Sequence, residues 1–258
     1  MRLTVCVAAL LAMGPAGAVA AQDTVFVAVG SPLVDGTVFR PHAARVRIYN
    51  PQGVLTAEWD NELRVGDSAG RAVARWITTG RPVPAFPNRP LIRLLQTFDL
   101  KTVAPLGYVM MSSTGAYTQL AIDGTRVRGI KRANARAAVD TVDVTPDRPG
   151  FMAAASDLVP VAAGLTPGKV LVAPVWGPQQ ASPVDHVFVV KGDSTVTVEG
   201  KPVRATRVDE HERAGGKRTA SWWLLLKEPY MVYGEVPGEA GVTRITEVGI
   251  ALDERGDE

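Results

Sequence analysis

The chain has 258 residues, 46% of them apolar, and a formal net charge of +2 from 28 basic and 26 acidic side chains. That length suits one large domain, and so even a charge balance lacks the broad positive field of a nucleic-acid binder, so no nucleic-acid partner is expected. The one cysteine, Cys6, falls within the leader described next, so the mature chain has no disulfide, thiolate nucleophile or cysteine metal ligand to draw on.

Residues 1–21, MRLTVCVAALLAMGPAGAVAA, read as a secretory signal peptide: Arg2, an apolar run from Leu3 to Met13, then small residues ending in Ala18-Val19-Ala20. The run is too short to span a bilayer. Cys6 does not directly follow it, which is where a lipid anchor would require it. The expectation is a single β-rich domain over 22–258, secreted or periplasmic, with at most peripheral membrane contact.

Short runs rich in Val, Ile, Thr and aromatics alternate with Gly, Pro, Asp and Asn along the whole length, the signature of an antiparallel β meander. Strands are predicted at Thr24 to Val29, Ala43 to Tyr49, Val54 to Leu63 and Ala72 to Thr78. Arg81 to Pro90 follows, with four prolines in ten residues, and suits neither a helix nor a central strand. It divides an N-terminal β segment, 22–90, from a second series that opens with Leu91 to Phe98 and a turn at Asp99-Leu100-Lys101-Thr102.

Tyr117 to Ile122, the turn pair Asp123-Gly124 and Arg126 to Ile130 form a predicted hairpin. Phe151 to Leu165 is Ala-rich and lacks alternation, so it reads as one or two helical turns interrupted by Pro160 that cover one face of the sheet. A second hairpin joins Thr195–Glu199 to Val203–Val208 through Gly200-Lys201. Ser221 to Leu226, Tyr230 to Val236 and Val242 to Leu252 complete the series, with turns at Gly215-Gly216 and Pro237-Gly238. The fold class is therefore mainly β, an antiparallel meander curved into an incomplete barrel with a short helical cover.

The string Thr97-Phe98-Asp99-Leu100-Lys101-Thr102-Val103-Ala104-Pro105-Leu106, the later Asp123 to Gly129, the Gly192-to-Gly200 hairpin with Val203 to Val208, and the Trp222-Trp223 strand resemble an uncharacterised family of secreted bacterial β-meander proteins. That family is distantly similar to the periplasmic lipoprotein carriers, whose incomplete barrel wraps a helical lid. The resemblance covers Leu91 to Leu252 and implies a half-barrel, with a lipid or lipoprotein as partner; it brings no catalytic residues.

No catalytic motif stands out among the residues themselves, and no enzyme, cofactor or metal site is expected. His42, His186 and His211 lack metal-binding spacing and read as surface or strand-end residues. Gly66-Asp67-Ser68 and Gly192-Asp193-Ser194 lack the surroundings of a nucleophile elbow and read as turns; a hydrolase would need one of the histidines beside Ser68 or Ser194. Asp140 and Asp143 fall on opposite faces of a strand and, with Asp147, read as solvated edge charges rather than one cation site.

Adjacent tryptophans on a strand must face opposite ways, so one of Trp222 and Trp223 is a candidate to line the concave face, together with Tyr230, Met110 and Trp176. Arg126, Arg128 and Arg132 form a basic stripe suited to lipid headgroups or an acidic partner, or simply a solvated strand face. The expected role is noncatalytic binding or carriage of a lipid or acyl chain in the concave face. The alternative is a structural or interaction module of the cell envelope whose sheet is filled by its own side chains.

Overall fold

The computed structural model describes residues 24–212 and 216–251, so the predicted signal peptide and Gly215 lie outside the described residues. Its strands are β1 (Thr24–Phe26), β2 (His42–Tyr49), β3 (Leu55–Ser68), β4 (Arg71–Arg81), β5 (Ile92–Asp99), β6 (Pro105–Ser112), β7 (Tyr117–Asp123) and β8 (Arg126–Arg132). They continue as β9 (Asp140–Val144), β10 (Phe151–Met152), β11 (Val170–Trp176), β12 (Val184–Val198), β13 (Lys201–Glu212), β14 (Arg218–Leu224), β15 (Met231–Gly238) and β16 (Gly241–Ile250). All belong to one sheet in the order β1-β11-β12-β13-β14-β15-β16-β2-β3-β4-β5-β6-β7-β8-β9, with β10 beside β11.

Alternation drives this meander. In β7, Thr118, Leu120 and Ile122 are buried while Gln119, Ala121 and Asp123 are exposed. The register then carries His42, Leu63, Trp76, Gln96, Tyr108 and Leu120 across β2 to β7 in one row on one face. That face is concave, because Trp76 on β4 and Phe188 on β12, seven strands apart along the path, share one core. The path stays open. Its two ends meet through side chains, Leu120, Ile122 and Val127 of β7 and β8 against Met152 and Trp176 of β10 and β11, and among the described residues no hydrogen-bonded ladder joins them.

The cover predicted over Phe151 to Leu165 is a plug. Its residues supply β10, a 3-10 turn at Ala153–Ala155 and a short helix α1 (Leu158–Ala162), every residue of which is buried in the core. Pro160 does not interrupt the helix as expected. It sits in the first turn, where backbone N–H groups have no intrahelical acceptor, so the missing donor costs nothing.

Other features depart from the sequence reading. β6 and β11 were not anticipated as strands, and β11 is buried along its whole length, so it shows no alternation to read. β1 and β10 pair with β11 in parallel, which breaks the purely antiparallel pattern. Pro237 and Gly238 belong to β15, whose closing pair with β16 is Gly238 with Gly241, so the turn falls one step later. Gly192-Asp193-Ser194 is no turn either: it lies within β12, at a bulge after Val190 where Gly192 has φ +103°.

That bulge bends the long β12–β13 hairpin so that its tip lies over the outer face of the sheet. Val196, Val198, Val203 and Ala205 pack there on Trp223, Val232, Tyr233 and Val248, forming a second small core. Glu199 at the tip is ion-paired with Arg47 on β2.

Candidate functional site

Two places collect chemistry that packing alone does not require. The first is a cleft of about 790 Å³ at one end of the open seam. Val29 and Gly30 after β1 and Pro149 before β10 form one wall; the β3–β4, β5–β6 and β7–β8 turns form the other, with Val73, Ala104, Pro105, Leu106 and Ile122 beside Ser68, Arg71, Thr97, Thr102 and Asp123.

Asp99 organises this rim. It accepts from Thr102 N at 2.8 Å and Thr102 Oγ1 at 2.7 Å, and pairs with Arg71 Nε at 2.7 Å. Burial pushes the Asp99 carboxyl up, but the Arg71 guanidinium and the Thr102 donors outweigh it and hold it below the usual carboxylate value. The same turn forces Val103 to φ +55°, a strained conformation for a β-branched residue, with its side chain buried in the core.

The second place is a group of acids on the concave face beneath the plug. Asp157, just before α1, is half-buried. Burial, with the nearby Glu210 carboxyl adding to it, pushes Asp157 up to about 7. Glu247 on β16 is 3% exposed, and burial together with Asp157 pushes it up to about 8. Thr78 Oγ1 donates to Asn61 Oδ1 at 2.8 Å, which leaves the Asn61 amide nitrogen to donate to Glu247. Glu210 accepts from Trp222 Nε1 at 2.7 Å and meets His186 Nδ1 at 2.5 Å. On the same face, both amide atoms of the fully buried Gln96, Oε1 of Glu247 and Nε2 of His42 have no hydrogen-bond partner among the described residues.

The sequence-predicted ligand-lining residues do not converge. Trp222 faces the concave core, its indole lying over Gly234, whose Cβ would come within 2.7 Å of the ring. Trp223 faces outward beneath the hairpin tip and donates to Ser194 Oγ at 2.8 Å. Tyr230 is buried in the central core, where its hydroxyl accepts from Arg40 N at 2.6 Å. Trp176 belongs to the seam cluster and donates to Gln180 O at 3.0 Å. Met110 is half-buried on the concave side of β6, in register with Leu94 and Thr118. None of these five residues lines the seam cleft.

The basic stripe is partly neutralised. Arg126 pairs with Asp143 at 3.2 Å, Arg128 approaches it at 3.9 Å, and Arg132 Nε donates to Gly115 O at 2.8 Å. Asp140 and Asp143 do fall in the edge strand β9, both exposed.

His42 corrects the expectation of a surface residue: it is 7% exposed, stacked edge-on against Trp76 and Tyr230, and burial pushes its imidazole below the usual value. His186 contacts Glu210, and His211 Nδ1 contacts Gly216 O at 3.0 Å; no histidine hydrogen-bonds Ser68 or Ser194. Gly66-Asp67-Ser68 closes β3 rather than forming a turn, and Asp67 accepts from Gly70 N of the turn that follows at 2.9 Å. Among the described residues no His, Cys, Asp or Glu group is arranged to hold a metal ion, and no helix is long and apolar enough to cross a membrane.

The acids beneath the plug were missed in the sequence. Glu247 stands in Arg244-Ile245-Thr246-Glu247-Val248, where apolar residues alternate onto both faces and no single buried side can be read.

No family model matches the chain, and no curated protein matches it. Among solved structures it is similar to a beta-barrel-like protein of domain of unknown function DUF1849 from Brucella abortus, at 9% identity and a TM-score of 0.47, covering 84% of this chain and 97% of that one.

Proposed function

We propose that this is a noncatalytic binding protein of the secreted or periplasmic space that takes up a lipid or other acyl-bearing molecule in the seam cleft. The observation that carries the reading is the cleft itself: about 790 Å³, within the size range of small-molecule pockets, lined by Val29, Val73, Leu106 and Ile122 together with Ser68, Arg71, Thr97, Thr102 and Asp123. The middle of the concave face is a poorer place for a ligand, because Leu158, Val159, Phe188 and Tyr230 already fill it. The predicted leader, and the distant similarity to lipoprotein carriers of the family the sequence resembles, add support for location and ligand class. Arg71 and Thr102 at the rim suit the polar end of such a molecule.

The test is purification of the mature protein from the periplasm, comparison of native with denatured mass, and titration with a fluorescent fatty acid. A stoichiometric adduct or saturable uptake is expected. A clean apo mass with no saturable uptake would favour the second reading, an envelope interaction module. That reading draws on the open edge of β9, where Val139 and Val144 are exposed beside Asp140 and Asp143.

A further inference from the structure

The outer face of the sheet is covered over only part of its width. Over β14 to β16 the β12–β13 hairpin tip packs on it through Val196, Val198, Val203 and Ala205. Among the described residues no such cluster forms over β4 to β8, where Ile77, Leu95, Val109, Met111 and Ile130 join none of the three apolar clusters of the molecule. Met111 and Ile130 are 41% and 37% exposed.

Strand register orders this open face. Trp76, Gln96, Tyr108 and Leu120 point to the concave side, so their chain neighbours point outward. The middle outward row runs Ile77, Leu95, Val109, Gln119, Ile130 from β4 to β8. The row on one side begins with Arg75 on β4 and ends with Arg128 on β8; the row on the other carries Arg93, Met111, Tyr117 and Arg132. Across these strands the three rows hold four arginines and no aspartate or glutamate.

The acids at the margins are already engaged. On β3, Glu62 is paired with Arg64, and Asp60 with Arg45 and Arg81. On β9, Asp143 pairs with Arg126 at 3.2 Å and reaches Arg128 only at 3.9 Å. Arg132 Nε donates to Gly115 O, a neutral acceptor that leaves its charge uncompensated. Among the described residues Arg75 and Arg93 enter no ion pair.

A guanidinium fork matches a phosphate oxygen pair, and an apolar row between such forks gains nothing from a soluble polyanion. The boundary between lipid headgroups and acyl chains satisfies both. A second copy of the chain fits worse, because a two-fold contact would set these arginines against their own copies. We propose that the outer face of β4 to β8 docks on an anionic lipid surface, with Arg75, Arg93, Arg128 and Arg132 taking phosphate-bearing headgroups and Met111 and Ile130 entering the headgroup boundary. This docking stands whether or not the seam cleft holds a ligand.

Flotation of the mature protein with vesicles tests it, using phosphatidylglycerol mixed with phosphatidylethanolamine against phosphatidylcholine alone. Binding is expected to the anionic vesicles only, and it should weaken steeply as salt rises from about 0.05 M to about 0.5 M. Arg75→Gln with Arg93→Gln should weaken it about tenfold or more, whereas Lys201→Gln with Arg204→Gln, which removes the same charge from the hairpin tip, should change it less than about threefold. Should the first pair fail to fold, Met111→Ser with Ile130→Ser, at exposed positions, should lower binding severalfold, and the wild-type salt series decides the charge term. Fluorescent fatty-acid uptake, which reads the cleft, should not change in either pair. Absence of binding to anionic vesicles, equal binding to both kinds, equal loss in both charge variants, or a dimer in solution that Met111→Ser with Ile130→Ser returns to monomer would overturn the proposal.

Discussion

At the scale of single residues, Trp222 shows how a side chain is set by what its neighbours lack. The ring lies where a side chain on Gly234 would be, and this brings Nε1 to the Glu210 carboxyl. Trp222→Phe keeps the ring but leaves a buried acceptor short of one donor, and should lower the unfolding free energy by about 1–3 kcal/mol in urea titrations. Gly129→Ala should be at least as damaging, by about 1–3 kcal/mol or more, because its Cβ would lie 1.8 Å from Gln119 O and prise β8 from β7. That Trp222 and Trp223 face opposite ways was legible in their adjacency alone. Which of them faces inward was not, because the hairpin tip covers the outer face of β14 and gives each tryptophan an apolar cluster to pack against.

Among elements, the β12–β13 hairpin and the plug show where local sequence informs and where it misleads. Strict alternation from Thr195 to Val208 identified the hairpin, and Asp123-Gly124 identified that between β7 and β8, because in each a turn pair interrupts a period of two. Nothing local reveals that the first hairpin folds back over the sheet, since that depends on the bulge at Gly192 and on partners far along the chain. Replacing residues 195–204 with a short turn should expose Trp223 and Tyr233, red-shifting tryptophan emission while the far-ultraviolet dichroism of the remaining sheet persists. Pro160 misled in the opposite sense, as a breaker that breaks nothing. Pro160→Ala is expected to change stability by less than about 1 kcal/mol, because no backbone hydrogen bond is waiting for the restored donor.

For the whole molecule, opposing titrations set the pH profile. Asp99 and Asp209 are held below the ordinary carboxylate value by their hydrogen bonds and arginine partners despite burial, so the stability they bring is lost as pH falls through the acid range. Asp157 and Glu247, raised by burial, act the other way: the stability tied to their protons is present below about pH 4 and drains away as pH climbs toward 7 and 8. The urea midpoint should accordingly peak on the acid side of neutrality, and Glu247→Gln should move that peak upward in pH. The molecule as a whole was legible as a curved meander because its punctuation is local; the pairing of β16 with β2, which joins the β11–β16 run to the β2–β9 run in one sheet, was not, since it brings together strands near the two ends of the chain.

Closure of this curl rests on Trp176 and Met152 touching Leu120, Ile122 and Val127, with no backbone ladder between them among the described residues. A sealed barrel can widen only by breaking a row of hydrogen bonds. At this seam the strands meet by side-chain packing, so Trp176→Ala would loosen the junction while leaving every ladder hydrogen bond of the sheet in place.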